Sequence, residues 1–422
     1  MNWNVLKDLK TNGFEYFKKK ASKYDIYKNS IQKRDNSLLF ISKTKLGKDL
    51  IILNQSKIFD KFQGRVINRD GMILKIAPLN HENAEILREE FEFTNPVSFG
   101  KEQATFGLGD RLGIATPGHI LTIKETEVKP IFAQQSVREL NLTDRTYQDV
   151  LDDVTWAVFQ EGYTGGYGAD GDHLKSAEEV NMALEAGYTM ITLDCSEHIN
   201  NDVNNLSIAE IDKSYDQLPA EETRILEDLY LNKSFQLGSG RKIAFERENF
   251  KKIVLIYNGM LKFTRDIYFN QIKSQNRGID FEVSIDETST PTTPQAHYFV
   301  AAELERAGVD FVSLAPRFCG EFQKGIDYIG SLEQFEDEFK VHAEIADHFG
   351  YKLSIHSGSD KFSVYPIIGK YTKGRVHVKT SGTNWLEAMR VVAEYAPGLY
   401  REIHSFSLKH FEEATRYYHV TI

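Results

Sequence analysis

From about residue 104 onward the chain repeats one pattern, a short apolar run followed by a longer amphipathic segment. The apolar runs are Ala104–Leu108, Pro130–Gln134, Thr164–Gly168, Thr189–Asp194, Asp280–Asp286, Asp310–Leu314, Lys352–His356 and Arg375–Lys379. Helical spacing fills the intervals at Thr143–Glu161, Ala177–Ala186, Phe250–Gln275, Ala296–Ala307, Ser331–Phe349 and Trp385–Tyr395. Strands that alternate with helices run parallel and are joined by right-handed crossovers. Eight such runs suffice to close a (β/α)8 barrel, a unit of roughly 250 residues. The expected fold is therefore an α/β, TIM-type barrel over residues 101–422, preceded by an N-terminal α/β extension over residues 1–100. Within that extension Ser37–Ile41, Asp49–Leu53 and Met72–Ile76 read as strands. Asn200–Arg241, rich in Asp, Asn and Glu, is too long for a simple connection and predicts a helical insertion around residues 200–245. Thr143 is the expected cap of the helix ending at Glu161, and Gly350 supplies the left-handed stop after Phe349.

The bulk properties remove several function classes. A net charge of -10 argues against a nucleic-acid partner, which calls for a basic stripe, but not against a small anion held by a few local cations. Two cysteines in 422 residues point to a reducing compartment, and the N-terminus lacks the apolar core of a signal peptide. No run of about 18 apolar residues occurs, so no membrane partner is expected. The expectation is a cytoplasmic protein acting on a small molecule, with self-association left open.

A barrel of this kind carries its chemistry at the C-terminal ends of its strands. Here those ends run into Gly109-Asp110-Arg111, Gly171-Asp172-His173, Asp194-Cys195-Ser196-Glu197-His198, Asp286-Glu287-Thr288, Pro316-Arg317, His356-Ser357-Gly358 and Lys379-Thr380-Ser381. Neutral imidazole is a common ligand of Zn, Mn, Ni and Co, so His173 and His356 are candidate metal ligands. His297, in the first turn after Pro291-Thr-Thr-Pro294, is the candidate third. Asp172 and Glu287 are candidates for an acid/base pair on opposite sides of a substrate, a pairing that would equally suit a glycosidase. Glu282 lies inside its strand, where an interior salt bridge is the alternative role. Arg111, Arg317, Lys361 and Lys379 are candidates for holding an anionic substrate, and Lys379 also raises Schiff-base chemistry. Gly166-Tyr-Gly168-Ala-Asp-Gly171 fits the spacing of a dinucleotide turn, yet Asp170 and Asp172 would set negative charge where pyrophosphate sits. A flexible loop that aims Asp172 and His173 is the preferred reading.

Five segments, GLGDRLGIATPGH (107–119), FAQQSVREL (132–140), YTGGYGADGDHLKS (163–176), DETSTPT (286–292) and LSIHSGSDKFSVYP (353–366), resemble the tagaturonate epimerase family. The likeness spans about residues 100–420. It implies interconversion of D-tagaturonate and D-fructuronate in hexuronate breakdown with a divalent metal, and it implies that Asp172, His173 and His356 belong to the site. The two sugar acids differ at the carbon two positions from the ketone, whose proton the carbonyl does not acidify. A retro-aldol and re-addition route is therefore expected, with the metal as Lewis acid. A metal-dependent aldolase or ketose isomerase on the same barrel is the alternative.

Overall fold

A computed structural model describes residues 4–45, 47–69 and 71–416. It divides into two compact units. The first comprises residues 1–97, 112–127 and 140–167, and the second residues 98–111, 128–139 and 168–422.

The first unit is built on a five-stranded antiparallel sheet in the order β1-β2-β3-β5-β4. Its strands are β1 (Gln32–Arg34), β2 (Ser37–Lys43), β3 (Lys48–Leu53), β4 (Arg65–Arg69) and β5 (Met72–Ala77). Alternating side chains of β2 and β3 serve two cores. Leu39, Ile41, Leu50 and Ile52 join Phe59, Leu87, Trp156 and Phe159 on one face. Leu38, Phe40, Ile51 and Leu53 join Phe17, Ala21 and Tyr24 on the other. Helix Tyr147–Glu161 starts at Thr146, not Thr143, because Thr146 and Asp149 form a reciprocal capping box.

The second unit contains a closed eight-stranded parallel barrel, as the strand–helix alternation predicts. Its strands are β6 (Thr105–Leu108), β7 (Lys129–Ser136), β8 (Gly168–Leu174), β9 (Met190–Asp194), β12 (Asp280–Ile285), β13 (Ser313–Pro316), β14 (Lys352–Ile355) and β15 (Val376–Thr380). The insertion between β9 and β12 holds helices Ile208–Tyr215 and Ala220–Tyr230 and a hairpin, β10 (Ser234–Gln236) with β11 (Lys242–Ala244). Tyr230, Phe235 and Phe245 of this insertion pack edge-on or tilted against Phe250, Tyr298 and Phe299. Tyr230 also donates to Glu303 at 2.7 Å. No helix among the described residues is long and apolar enough to cross a membrane.

One strand differs from expectation in a way that matters for the site. The third barrel strand runs over Gly168–Leu174, not Thr164–Gly168, so from Gly168 on the glycine-rich stretch is strand and not a loop or a phosphate turn. Two causes make this sequence a strand. A Cβ on Gly171 would lie 2.8 Å from Ala183 Cβ and 3.0 Å from Leu174 Cδ1, so only glycine lets the strand pack there. The acids Asp170 and Asp172 are tolerated inside the barrel because Lys379 lies between them.

Candidate active site

The barrel interior is polar where such barrels usually hold branched apolar residues. On β12, Phe281, Val283 and Ile285 are apolar, while the alternate positions carry Asp280, Glu282, Ser284 and then Asp286 beyond the strand end. Register aligns Glu282 with Thr192 of β9 and Ser313 of β13, so these side chains share one level of the barrel.

At the C-terminal rim His173, Asp286 and His356 converge, each offering a ligand atom within 4.8 Å of the others. The rings of His173 and His356 have centroids 4.9 Å apart. His173 reaches this position through an irregularity in its strand. Pairing between β8 and β9 shifts register between Gly171 and Leu174, and His173 itself has a left-handed φ of 56°. Ordinary alternation would set Asp172 and His173 on opposite faces; the bulge lets neighbouring residues serve one site.

Each of the three groups has its far side held. His173 Nδ1 donates to Asp172 Oδ1 at 2.7 Å. His356 Nε2 donates to Glu282 Oε1 at 2.8 Å, and its Nδ1 approaches Asp286 Oδ2 at 3.1 Å. Ser284 donates to Asp286 Oδ1 at 2.5 Å. Carboxylate partners on the outer nitrogens of two histidines are the usual support of a metal-binding imidazole pair. The donor set, two imidazoles and a carboxylate, fits a borderline divalent ion.

Beneath the rim lies an ionic lattice. Lys379 Nζ sits 2.8 Å from Asp170, 2.8 Å from Asp172 and 3.1 Å from Glu282, and it also donates to Thr192. Glu282 accepts in addition from Ser313 at 2.5 Å. Burial opposes a charge on Lys379, yet Asp170, Asp172 and Glu282 outweigh it and hold the ammonium well above its usual range. A lysine kept protonated in this way lacks the lone pair that Schiff-base chemistry requires. Burial works against Asp172 and Glu282 as well, but the former is held well below the carboxylate range chiefly by His173 and Lys379, the latter by Lys379 and His356. Asp170 goes the other way, to about 6, because burial and its acidic neighbours exceed the pull of Lys379. Burial would lower His356, but Asp286 and Glu282 raise it to about 10, and Asp172 likewise raises His173. Four carboxylates (Asp170, Asp172, Glu282 and Asp286) thus surround a single lysine and two imidazoles, a balance suited to an added cation.

The remaining residues singled out from sequence lie elsewhere or are engaged otherwise. His297 does not join His173 and His356. It is fully buried on helix Pro294–Arg306, with Nδ1 2.8 Å from His342 Nδ1 and Nε2 2.5 Å from the Tyr351 hydroxyl. Burial, with His342 adding to it, keeps its imidazole neutral. Its substitution by leucine is expected to leave bound metal unchanged and cost about 1–3 kcal/mol of stability, from the partners left behind. Metal analysis beside a denaturant melt checks this, and loss of metal in that variant would reinstate His297 as a ligand. Glu287 is exposed one residue beyond Asp286, near enough to Lys175 to stabilise its charge. Lys361 is fully buried and donates to the carbonyls of Gln323, Ile326 and Ser359 at 2.6, 2.6 and 2.9 Å, so it clamps a loop. Arg317 donates to the Thr288 carbonyl. Arg111 bonds the Ser381 carbonyl and Glu139, both at 2.8 Å.

Asp286, Asp170 and Thr192 had no assigned role in the sequence reading. The signal for Asp286 was present: Asp280, Glu282, Ser284 and Asp286 form a period-two polar row, which puts Asp286, not Glu287, on the inner face.

Comparison with known proteins agrees over nearly the whole chain. The family described as tagaturonate epimerase matches residues 27–422. A tagaturonate/fructuronate epimerase of Thermotoga maritima is 44% identical over 399 residues, covering 94% of this chain and 82% of the relative. Crystal structures of a fructuronate-tagaturonate epimerase from Cohnella laeviribosi, native and with one glycerol, are similar at a TM-score of 0.92 and 49% identity. They cover 99% of this chain and 82% of theirs. Fold, length of match and identity point one way, to an isomerase that epimerises sugar acids, and the chain belongs to the tagaturonate epimerase family.

Proposed function

We propose that this chain interconverts D-tagaturonate and D-fructuronate with a divalent cation held by His173, Asp286 and His356. The observation that carries this reading is the convergence of those three groups at the barrel rim, each braced from behind. The bound cation would supply Lewis acidity and a template for the ketone end of the sugar acid. The two free, buried cysteines suit a reducing compartment, and a cytoplasmic location is part of the same reading.

The protein's own residues have the following work in this proposal. Asp172 accepts the proton of the hydroxyl two carbons from the ketone. Its Oδ1 is fixed by His173 and Lys379, while Oδ2 accepts no hydrogen bond among the described residues. The bond between that carbon and the one beside the ketone then breaks, its electron pair staying on the ketone side. The aldehyde turns, the bond re-forms on its opposite face, and the proton returns to the new alkoxide. Glu287, at the exposed rim, would serve the face turned away from Asp172.

Incubation of the purified protein with tagaturonate, with and without added Mn2+ or Ni2+, tests the reading directly. Fructuronate as the sole product, lost in chelator and regained with metal, is the expected result. Two smaller fragments would mark an aldolase instead.

Metal affinity is expected to climb with pH. In the metal-free protein His356 is raised to about 10, so near neutrality it carries a proton that an incoming cation displaces, and the raised His173 makes protons compete with the cation there too. Each proton released strengthens binding by about tenfold per pH unit. The metal-free fold shows the mirror effect: the His356 contribution is complete below its unfolded value near 6.5 and fades as pH rises through about 10. Calorimetry between about pH 6 and 8, in buffers of different ionisation heat, counts the protons released. An affinity flat across that range would contradict the ligand assignment.

A further inference from the structure

The sugar acid carries a carboxylate, and three of the four cations nominated for it already have strong partners. Lys379 meets the carboxylates of the lattice, Lys361 meets loop carbonyls, and Arg111 meets Glu139. Arg317 is different. Five arginines are half-buried among the described residues: Arg88, Arg111, Arg145, Arg317 and Arg375. Four of them pair with carboxylates, Arg88 with Asp152, Arg111 with Glu139, Arg145 with Asp153, and Arg375 with Glu102 and Asp347. Arg317 has no ion pair among the described residues, and its guanidinium makes one hydrogen bond to them, from Nη1 to the Thr288 carbonyl. Nε and Nη2, an edge that can grip a carboxylate with two parallel bonds, have no partner among those residues.

We infer that this open Nε–Nη2 edge of Arg317 receives the carboxylate of the sugar acid. The inference rests on the substrate reading above and names the residue that recognises its acidic end.

Three observations support it. The first is place. Arg317 directly follows β13, the strand between β12, which Asp286 follows, and β14, which His356 follows. Pairing sets Ile285 beside Pro316, so Asp286 and Arg317 begin their rim segments side by side, on strands about 4.8 Å apart. Period two puts Arg317 on the face of β13 from which Ser313 reaches Glu282.

The second is orientation in advance of any ligand. Arg317 N donates to Thr292 Oγ1 at 3.0 Å, and Thr292 N donates back to the Arg317 carbonyl at 2.9 Å. Thr288, whose carbonyl holds Nη1, is buried and secures its own loop through Oγ1 to the Thr290 carbonyl at 2.7 Å. Fixing one nitrogen of a planar fork restricts the direction of the other two. The third is charge. A guanidinium partly withdrawn from water is unfavourable without a counter-ion, and this one stands beside a site suited to a divalent cation. An anionic ligand relieves both costs. A neutral sugar relieves neither.

The test uses Arg317→Gln and Arg317→Lys with Mn2+ present, and two ligands, tagaturonate and tagatose. The ligands share the ketone end and differ in a carboxylate against a hydroxymethyl group. By calorimetry, wild type should bind tagaturonate at least about tenfold more tightly than tagatose. Arg317→Gln should weaken tagaturonate about 10- to 100-fold, the scale of a charge-assisted pair, and tagatose less than about threefold. Arg317→Lys keeps the charge without the fork and should fall between, and it carries the test if the glutamine variant does not fold. Mn2+ retention should be unchanged in both. Equal losses for the two sugars would mean that Arg317 only shapes the rim, and would overturn the assignment. A wild type that binds the two alike would also overturn it, as would either variant that keeps the full preference. Wild type that prefers tagaturonate but does not convert it to fructuronate would leave Arg317 standing and sink the proposed reaction instead.

Discussion

Asp286→Asn is expected to lower kcat/KM for the sugar acid by about a thousandfold or more and to abolish stoichiometric retention of a divalent ion. Asparagine keeps the size of aspartate and can still accept from Ser284, so the rim should hold its shape. What it removes is the negative charge that a hard or borderline cation needs beside two neutral imidazoles. It also removes the carboxylate that helps raise His356, so in the metal-free variant that imidazole should titrate closer to its ordinary value. His356→Ala should act as severely on metal content, and it takes from Glu282 Oε1 its imidazole partner, leaving Lys379 and Thr192. Glu287→Gln separates the adjacent acid: metal retention should be unchanged there, and any effect should fall on kcat. Elemental analysis after gel filtration, paired with steady-state kinetics, distinguishes these cases. An Asp286→Asn protein that keeps one ion per chain and wild-type turnover would falsify the proposed ligand set.

The barrel was legible because its strands and helices differ in period, and that difference survives errors at individual ends. The convergence of His173 and His356 in the candidate site was legible for a similar reason: strand termini concentrate chemistry, and these two residues stand at two of them. Three features were not legible, each for a physical cause. Gly166–Gly171 looks like a turn to any local rule, because the close approach of Ala183 that makes Gly171 necessary is a tertiary contact. His297 lies near a helix start, which fits a rim position, but its direction into the core toward His342 and Tyr351 depends on how that helix is rotated. Lys361 and Lys379 are cations at strand ends, and nothing local says that one meets carbonyls and the other meets carboxylates. Charge at the rim could be counted from the sequence; the partner of each charge could not.

The lattice around Lys379 yields the second large effect. Lys379→Met should cost about 3–5 kcal/mol of stability near neutral pH, the usual consequence of removing one member of a buried ionic network. Methionine fills much of the same volume, so the loss is electrostatic: Asp170, Asp172 and Glu282 are left facing one another without their shared cation. The sign of the pH dependence gives the stricter test. In the wild type Asp172 and Glu282 are depressed, so their contribution is present above the ordinary carboxylate range and is lost as the solution is acidified. Without Lys379 the same carboxyls should be raised by burial and mutual repulsion. The folded variant then binds more protons than its unfolded chain, and its stability falls as pH rises from about 5 to 8. Adding Glu282→Gln should recover part of the deficit, because it removes one of the repelling charges while keeping a group that can bond Ser313 and Thr192. Denaturant midpoints at the two ends of that range, for wild type and for the single and double variants, read both the size and the sign. A Lys379→Met protein that tracks the wild type at both ends would mean that the interior charges are screened from one another by water.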